Sequence, residues 1–247
     1  MKAIVLSAGQ GRRLMPLTET RPKCLVQLSG RSLLSWQLEG LWDAGVTEVV
    51  VVTGFGAELV EGEITAVAPR GMRVRTLFNP FYAVADNLGS CWVARDEMQG
   101  EFLILNGDTL FEPAVASRLI SAPPAAITLA VDRKSAYDAD DMKIRATGRQ
   151  LLAIGKTLPL DTVSAESIGF LRFSPIGGRL FVEAVETAMR RSQGLRQWYL
   201  SVIDGLAQST GEVEIVSIEG LEWGEMDFPA DFLRNQALTE GWISRAA

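Results

Sequence analysis

The most constraining stretch of this chain is an apolar strand that runs directly into a glycine-rich loop, MKAIVLSAGQGRRLMPLTETRPKCLV. Residues 2–8 read as a buried parallel strand, which places the loop at one edge of a sheet. The turn Ser7-Ala8-Gly9-Gln10-Gly11 brings backbone N–H groups close to an anion without interference from Cβ atoms. Arg13 and Lys23 follow as cations able to neutralise a polyphosphate. The loop is not a Walker A loop, because Gly11 is followed by Arg12 and Arg13. It is not a dinucleotide fingerprint either, because the third glycine of that pattern falls on Leu14. A glycine turn after a strand also occurs in α/β folds that bind nothing there.

Further along, apolar strands alternate with amphipathic helices, as a parallel sheet with crossover helices requires. Strands are predicted at 2–8, 48–53, 73–78, 102–107, 126–132, 142–146, 168–173 and 213–218. Helices are predicted at 32–44, 57–66, 88–98, 112–120, 177–191, 197–208 and 229–240, with Asp108-Thr109 and Ser174-Pro175 among the expected caps. The fold class expected is α/β, a Rossmann-like, mostly parallel sheet with flanking helices. One domain is expected over 1–247, with 133–165 as a smaller, substrate-facing excursion.

Composition narrows the chemistry. With no histidine, imidazole bases and histidine metal sites are excluded, so the work falls to Asp, Glu, Lys, Arg and a hard cation. A net charge of −6 argues against a nucleic-acid binder. No apolar stretch is long enough to cross a bilayer and no leader is evident, so the cytoplasm is the expected compartment and membrane insertion is not expected. A homo-oligomer is compatible with the sequence. Cys24 and Cys91 are expected to be buried free thiols.

The second informative segment is FLILNGDTLF at 102–111, an apolar run that stops at Asn106-Gly107-Asp108. Asp108 therefore sits at the carboxyl end of a strand, where open α/β sheets bind ligands; a cap for helix 112–120 is the competing role. Mg²⁺ usually takes one or two carboxylates plus phosphate oxygens and water, so a second acid is needed.

The sequence resembles the nucleotidyltransferases that join a nucleoside triphosphate to a sugar phosphate or a phosphorylated small alcohol. Gly9, Gly11, Arg13, Leu14, Pro16, Leu17, Thr18, Pro22 and Lys23 all fit that family's signature loop. The resemblance implies nucleotide contacts from Leu6, Ala8, Gly9 and Gly11, with Arg13 on the β/γ-phosphates. It implies Mg²⁺ held by Asp108 and Asp227, with Glu225 and Asp231 as alternatives to Asp227. Asn87, Gly89 and Ser90 fall where the family reads the base. Sugar-phosphate members usually carry Pro-x-Gly-Thr-Ala there, whereas Asn87-Leu88-Gly89-Ser90 resembles the phosphocholine cytidylyltransferase branch, which favours CTP. Asn87 as a plain cap of helix 88–98 is the alternative.

The same branch is resembled by Asp140–Ile144 paired with Ala153–Lys156, and by Glu166–Phe170. This implies Lys23 and Lys156 at the α-phosphate and acceptor phosphate, and an acceptor pocket containing Lys143, Glu166, Trp223 and Glu225. Trp92, Trp198, Tyr199 and Trp223 are aromatic faces for a quaternary ammonium or, for most of them, core residues. The acceptor phosphate or phosphonate is already ionised, so attack on the α-phosphorus needs no general base. Three readings follow: a cytidylyltransferase for a small phosphorylated alcohol or phosphonate, a uridylyl- or guanylyltransferase for a sugar 1-phosphate, and a non-catalytic nucleotide-binding regulatory subunit.

Overall fold

The computed structural model describes residues 1–246. Chain order begins with β1 (Lys2–Leu6), a small ribbon of β2 (Gln27–Leu28) and β3 (Arg31–Ser32), and α1 (Leu33–Asp43). It continues through β4 (Glu48–Thr53), α2 (Ala57–Val67), β5 (Arg73–Phe78) and α3 (Asn87–Val93). Next come β6 (Phe102–Asn106), β7 (Thr109–Phe111), α4 (Pro113–Ile120), β8 (Ile127–Asp132), β9 (Lys143–Thr147), β10 (Gln150–Gly155) and β11 (Ala165–Phe173). The last elements are α5 (Pro175–Met189), α6 (Tyr199–Thr210), β12 (Val213–Ser217), β13 (Trp223–Glu225) and α7 (Pro229–Ala246).

Nine strands form one sheet in the order β5-β4-β1-β6-β11-β8-β12-β10-β9. Only β11 and β10 run against the other seven. Alternate residues of β1 face opposite layers, as strand geometry requires. Ile4 packs with α3, α5 and α6 residues such as Leu88, Phe181 and Ile203. Ala3 and Val5 pack with α1, α2 and α4 residues such as Leu38, Ile64 and Val115. Both faces are thus covered, which is why β1, β4 and β6 read as continuous apolar runs. A third apolar cluster around Leu14, Leu28, Trp36 and Met226 receives Phe232, Leu238 and Trp242 of α7.

Departures from the sequence expectations have local causes. The helix expected over 88–98 ends at Val93, and Arg95–Glu97 continue as a 3-10 turn. Asp108-Thr109 is not a helix cap: Thr109 opens β7, and Glu112 precedes Pro113 at the start of α4. Ser174 does cap α5, accepting from the Gly177 N–H at 3.2 Å. The three-residue β7 and β13 pair only with each other and are too short to show a period. A register shift between Leu151 and Ala153 blurs the alternation of β10. Residues 133–165 include the β9–β10 hairpin, which extends the main sheet through β10–β12 and β9–β11 pairing. Strand β10 turns back on β9 through a tight hairpin and so runs antiparallel to it, and β11 takes the same direction as β10 on the other side of β9, antiparallel to β9, β6 and β8.

Candidate active site

The carboxyl end of β1 is shaped by close approaches. Gly11 has φ 75°, and a Cβ there would lie 2.8 Å from the Lys23 Cβ, so glycine lets the lysine stem pass beneath the loop. Thr18, fully buried, donates its hydroxyl to the Gly11 carbonyl at 2.7 Å and locks the loop from behind. At the end of β6, a Cβ on Gly107 would lie 2.6 Å from the Leu6 carbonyl oxygen. The β1 and β6 ends therefore meet tightly, and Asp108 emerges beside the glycine loop.

Asp227 reaches the same point from the far end of the chain. The Met226 N–H donates to the Asp108 carbonyl at 3.0 Å, and Glu225 of β13 pairs with Thr109 of β7. Asp231, one turn into α7, accepts from the N–H groups of Asp227 (3.0 Å) and Phe228 (2.8 Å). That is a capping arrangement, in keeping with a first-turn acid.

Between the two acids lies Lys23, its Nζ 2.7 Å from Asp108 Oδ2 and 2.7 Å from Asp227 Oδ1. Burial opposes its charge, but the two carboxylates outweigh that and hold it above the usual lysine range. Asp227 is likewise pulled down by Lys23 and Arg13 against the opposing effect of burial. Arg13 donates to Asp227 Oδ2 at 2.7 Å and to Asp140 Oδ2 at 3.2 Å, with its guanidinium 4.7 Å above the Phe228 ring. Lys156 Nζ lies 3.2 Å from the other oxygen of Asp140. Asp140 thereby stands between two cations assigned above to phosphate groups.

Two cavities meet at this cluster. The first, about 250 Å³, is lined by Leu6, Ala8, Gly9, Gly11, Asn87 and Ser90 among others, and by Lys23 and Asp108. Gly89 does not line it: a Cβ there would lie 2.8 Å from the Ala85 Cβ, so it packs against the turn that precedes α3. Asn87 does not cap its helix, because its Oδ1 accepts from the Tyr199 N–H at 3.0 Å. Ser90 accepts from Asn79 Nδ2 at 3.0 Å, so the polar floor is ordered in advance.

The second cavity, about 290 Å³, contains Glu166, Trp223, Glu225 and Asp227 together with Asp132, Lys134, Asp138 and Asp141. Burial pushes Glu166 up to about 7, against the ion pair it makes with Lys134 at 2.9 Å. Burial and then the neighbouring Asp108 and Asp227 push Glu225 up to about 8. Trp223 donates its indole N–H to Asp132 Oδ2 at 2.8 Å. Lys143 is buried away from either cavity, its ammonium donating to the carbonyls of Asp138, Asp141 and Lys156. Its position organises the loop and does not face an acceptor. Tyr199 is fully buried, whereas Trp198 is 43% exposed at the first cavity.

Among the described residues no three acidic, histidine or cysteine side chains converge as a metal cage. The Asp108–Asp227 pair suits a hard divalent cation that draws its remaining ligands from phosphate and water, and the buried Asp108 Oδ1 has no hydrogen-bond partner. Asp132, Asp140 and Lys134 escaped notice in the sequence as site residues. Asp132 carried the same signal as Asp108, an acid at the end of an apolar strand; Asp140 opens the Asp140–Ile144 stretch noted above but no role followed from it, and nothing in the spacing marks Lys134.

A three-layer α/β sheet with a glycine loop, a basic pair and two acids at one edge defines a phosphate-handling enzyme fold. Residues 2–138 match the Nucleotidyl transferase family, and the chain belongs to it. It is 32% identical over 242 residues to the CMP-5'-(3-aminopropyl)phosphonate synthase of Streptomyces rubellomurinus, covering 94% of this chain and 37% of that protein. It is 33% identical over 112 residues to the choline-phosphate cytidylyltransferase of Streptococcus pneumoniae, covering 45% of this chain and 47% of the relative. These matches therefore span less than half the length of those two relatives. The structure of the inositol-1-phosphate CTP transferase from T. maritima superposes with a TM-score of 0.80 at 20% identity, covering 96% of this chain and 94% of that one. That superposition establishes the fold. No helix among the described residues is long and apolar enough to cross a membrane.

Proposed function

We propose that this protein transfers CMP from CTP to a small acceptor bearing a phosphate or phosphonate, releasing pyrophosphate in a Mg²⁺-dependent reaction. The observation that carries this reading is the Lys23 ammonium between Asp108 and Asp227 at the junction of two cavities. The first cavity suits the nucleotide, with the glycine loop beneath the phosphates and Asn79, Asn87 and Ser90 near the base. Amide and hydroxyl groups of this kind can accept from the cytosine amino group, which uracil lacks. The CTP-using relatives support the same choice.

Asp108 and Asp227 would hold Mg²⁺, which supplies charge stabilisation on the phosphate oxygens. The acceptor oxyanion attacks the α-phosphorus in line, a new P–O bond forms, the α–β bridging P–O bond breaks, and its electron pair leaves on pyrophosphate. Arg13 and the loop N–H groups hold the β/γ-phosphates, while Lys23 and Lys156 draw the α-phosphate and acceptor phosphate together. No proton has to be removed from the nucleophile. Asp132, Asp138, Asp140 and Asp141 give the second cavity an acidic lining and Trp223 adds an aromatic face, which suits an acceptor with a cationic end such as a phosphorylated amino alcohol or an aminophosphonate.

The test is pyrophosphate release with CTP, UTP, GTP, ATP and dTTP crossed against phosphocholine, phosphoethanolamine, 2-aminoethylphosphonate, inositol phosphate and sugar 1-phosphates, with and without Mg²⁺. Release with CTP and a zwitterionic acceptor is the expected result. Release only with UTP or GTP and a sugar 1-phosphate would overturn the base and acceptor assignments. Nucleotide binding without release for any acceptor would favour a regulatory subunit.

A further inference from the structure

Trp198 sits at the rim of the nucleotide cleft, and one face of its ring is occupied: the Lys156 ammonium lies 4.6 Å from the ring centroid. An aromatic face attracts an ammonium and restrains an otherwise flexible four-carbon arm. The segment bearing Trp198 is fastened to the start of α3 by three hydrogen bonds. The Asp86 N–H donates to the Leu195 carbonyl (2.8 Å), the Leu88 N–H to the Gln197 carbonyl (3.3 Å) and the Tyr199 N–H to Asn87 Oδ1 (3.0 Å). On the other side, the Ile154 N–H of β10 donates to Asp204 Oδ1 of α6 at 2.8 Å. Lys143 Nζ fixes the Lys156 carbonyl at 2.9 Å. The base-facing stretch and the root of the Lys156 side chain are therefore parts of one hydrogen-bonded unit.

We propose that Trp198 is a positioning residue whose ring holds the Lys156 ammonium at the boundary between the two cavities, so that the acceptor phosphate meets a preset cation. The word acceptor rests on the nucleotidyl-transfer reading; the pairing itself does not. Asp140 marks the boundary, since it borders the acidic cavity and contacts both Lys156 and Arg13. Trp198 is thereby used as a support for a cation of the protein, and that face is not open to a ligand's quaternary ammonium.

Trp198→Leu removes the aromatic face and Trp198→Phe keeps one. In lysine acetylation read by mass spectrometry, which needs no turnover, Lys156 becomes about fivefold more reactive relative to Lys134 in Trp198→Leu and stays near wild type in Trp198→Phe. In steady-state kinetics the acceptor KM rises about fivefold in Trp198→Leu while kcat changes by less than about twofold, and Trp198→Phe restores KM. Lys156→Met, which leaves the indole in place, raises the acceptor KM as well, and adding Trp198→Leu to it changes nothing further. Unchanged Lys156 reactivity in Trp198→Leu, or an equal rise in KM in the Lys156→Met background, overturns the proposal. Wild-type protein that turns over no substrate pair defeats the nucleotidyl-transfer reading instead, and the acetylation result still decides the pairing.

Discussion

Lys23 does at residue scale what a bound metal would do: it bridges two acids that repel each other. If Asp108 and Asp227 hold the metal, Asp108→Ala lowers kcat by about a thousandfold or more. Circular dichroism should show the fold intact, and near-normal turnover would refute the assignment. Asp140 makes the opposite prediction. Its carboxylate is 47% exposed and pairs with Arg13 and Lys156, so if those two cations serve phosphate groups it would compete with those groups. Asp140→Asn should lower the KM for CTP or acceptor by about two- to fivefold, the modest size reflecting solvent screening. Glu166 gives a pH signature. Its carboxyl titrates near 7 in the folded protein, above the ordinary 4.5, so across that interval the folded state keeps a proton that the unfolded chain has lost. Stability therefore falls as pH rises from about 4.5 to about 7, and Glu166→Gln should flatten that fall by at most about 3 kcal/mol in urea titrations. The signature loop was legible because Gly11, Thr18 and Lys23 are constrained together by backbone geometry. Asp140 was not legible, because its place depends on a loop with no repeating pattern.

At the scale of elements, the site depends on short pieces that stabilise one another. β7 and β13 have no partners but each other, yet they set Asp108 and Asp227 side by side. The Asp231 carboxylate then fixes the turn from β13 into α7. Asp231→Ala should cost about 0.5–2 kcal/mol of stability, the usual loss for a helix cap. It should also lower kcat, because Asp227 loses its backbone anchor; a loss of stability at full activity would show that Asp227 needs no such support. These pieces escaped sequence reading for a physical reason: three residues cannot display a period of two. The long strands did display one, or a continuous apolar run where both faces are covered, so β1, β4, β6 and β8 were placed to within a residue or two. The antiparallel course of β11 was invisible because apolar content does not encode direction.

On the scale of the whole molecule, the parallel strands bring their carboxyl ends to one edge, and every cation and acid of the site lies there or in loops folded over it. With Lys23 and Arg13 already paired to Asp108 and Asp227, folding should not depend on metal. A chelator should abolish turnover while leaving the thermal midpoint unchanged, unlike a protein whose site is built around a structural ion. CTP with Mg²⁺ should raise the midpoint, by about 2.7 kcal/mol of stabilisation at a hundred times Kd. Melting curves with each component alone and together would measure both effects. The hydrogen bond from Met226 to the Asp108 carbonyl also has a temporal meaning. On the ribosome, the glycine loop and Asp108 are made long before Asp227, so for nearly half of its synthesis the growing chain carries one acid of the pair without the other. If Asp108 and Asp227 hold the metal, a translation product that stops after β12 would keep the glycine loop and Asp108 but lack Asp227, and would hold a triphosphate without spending it.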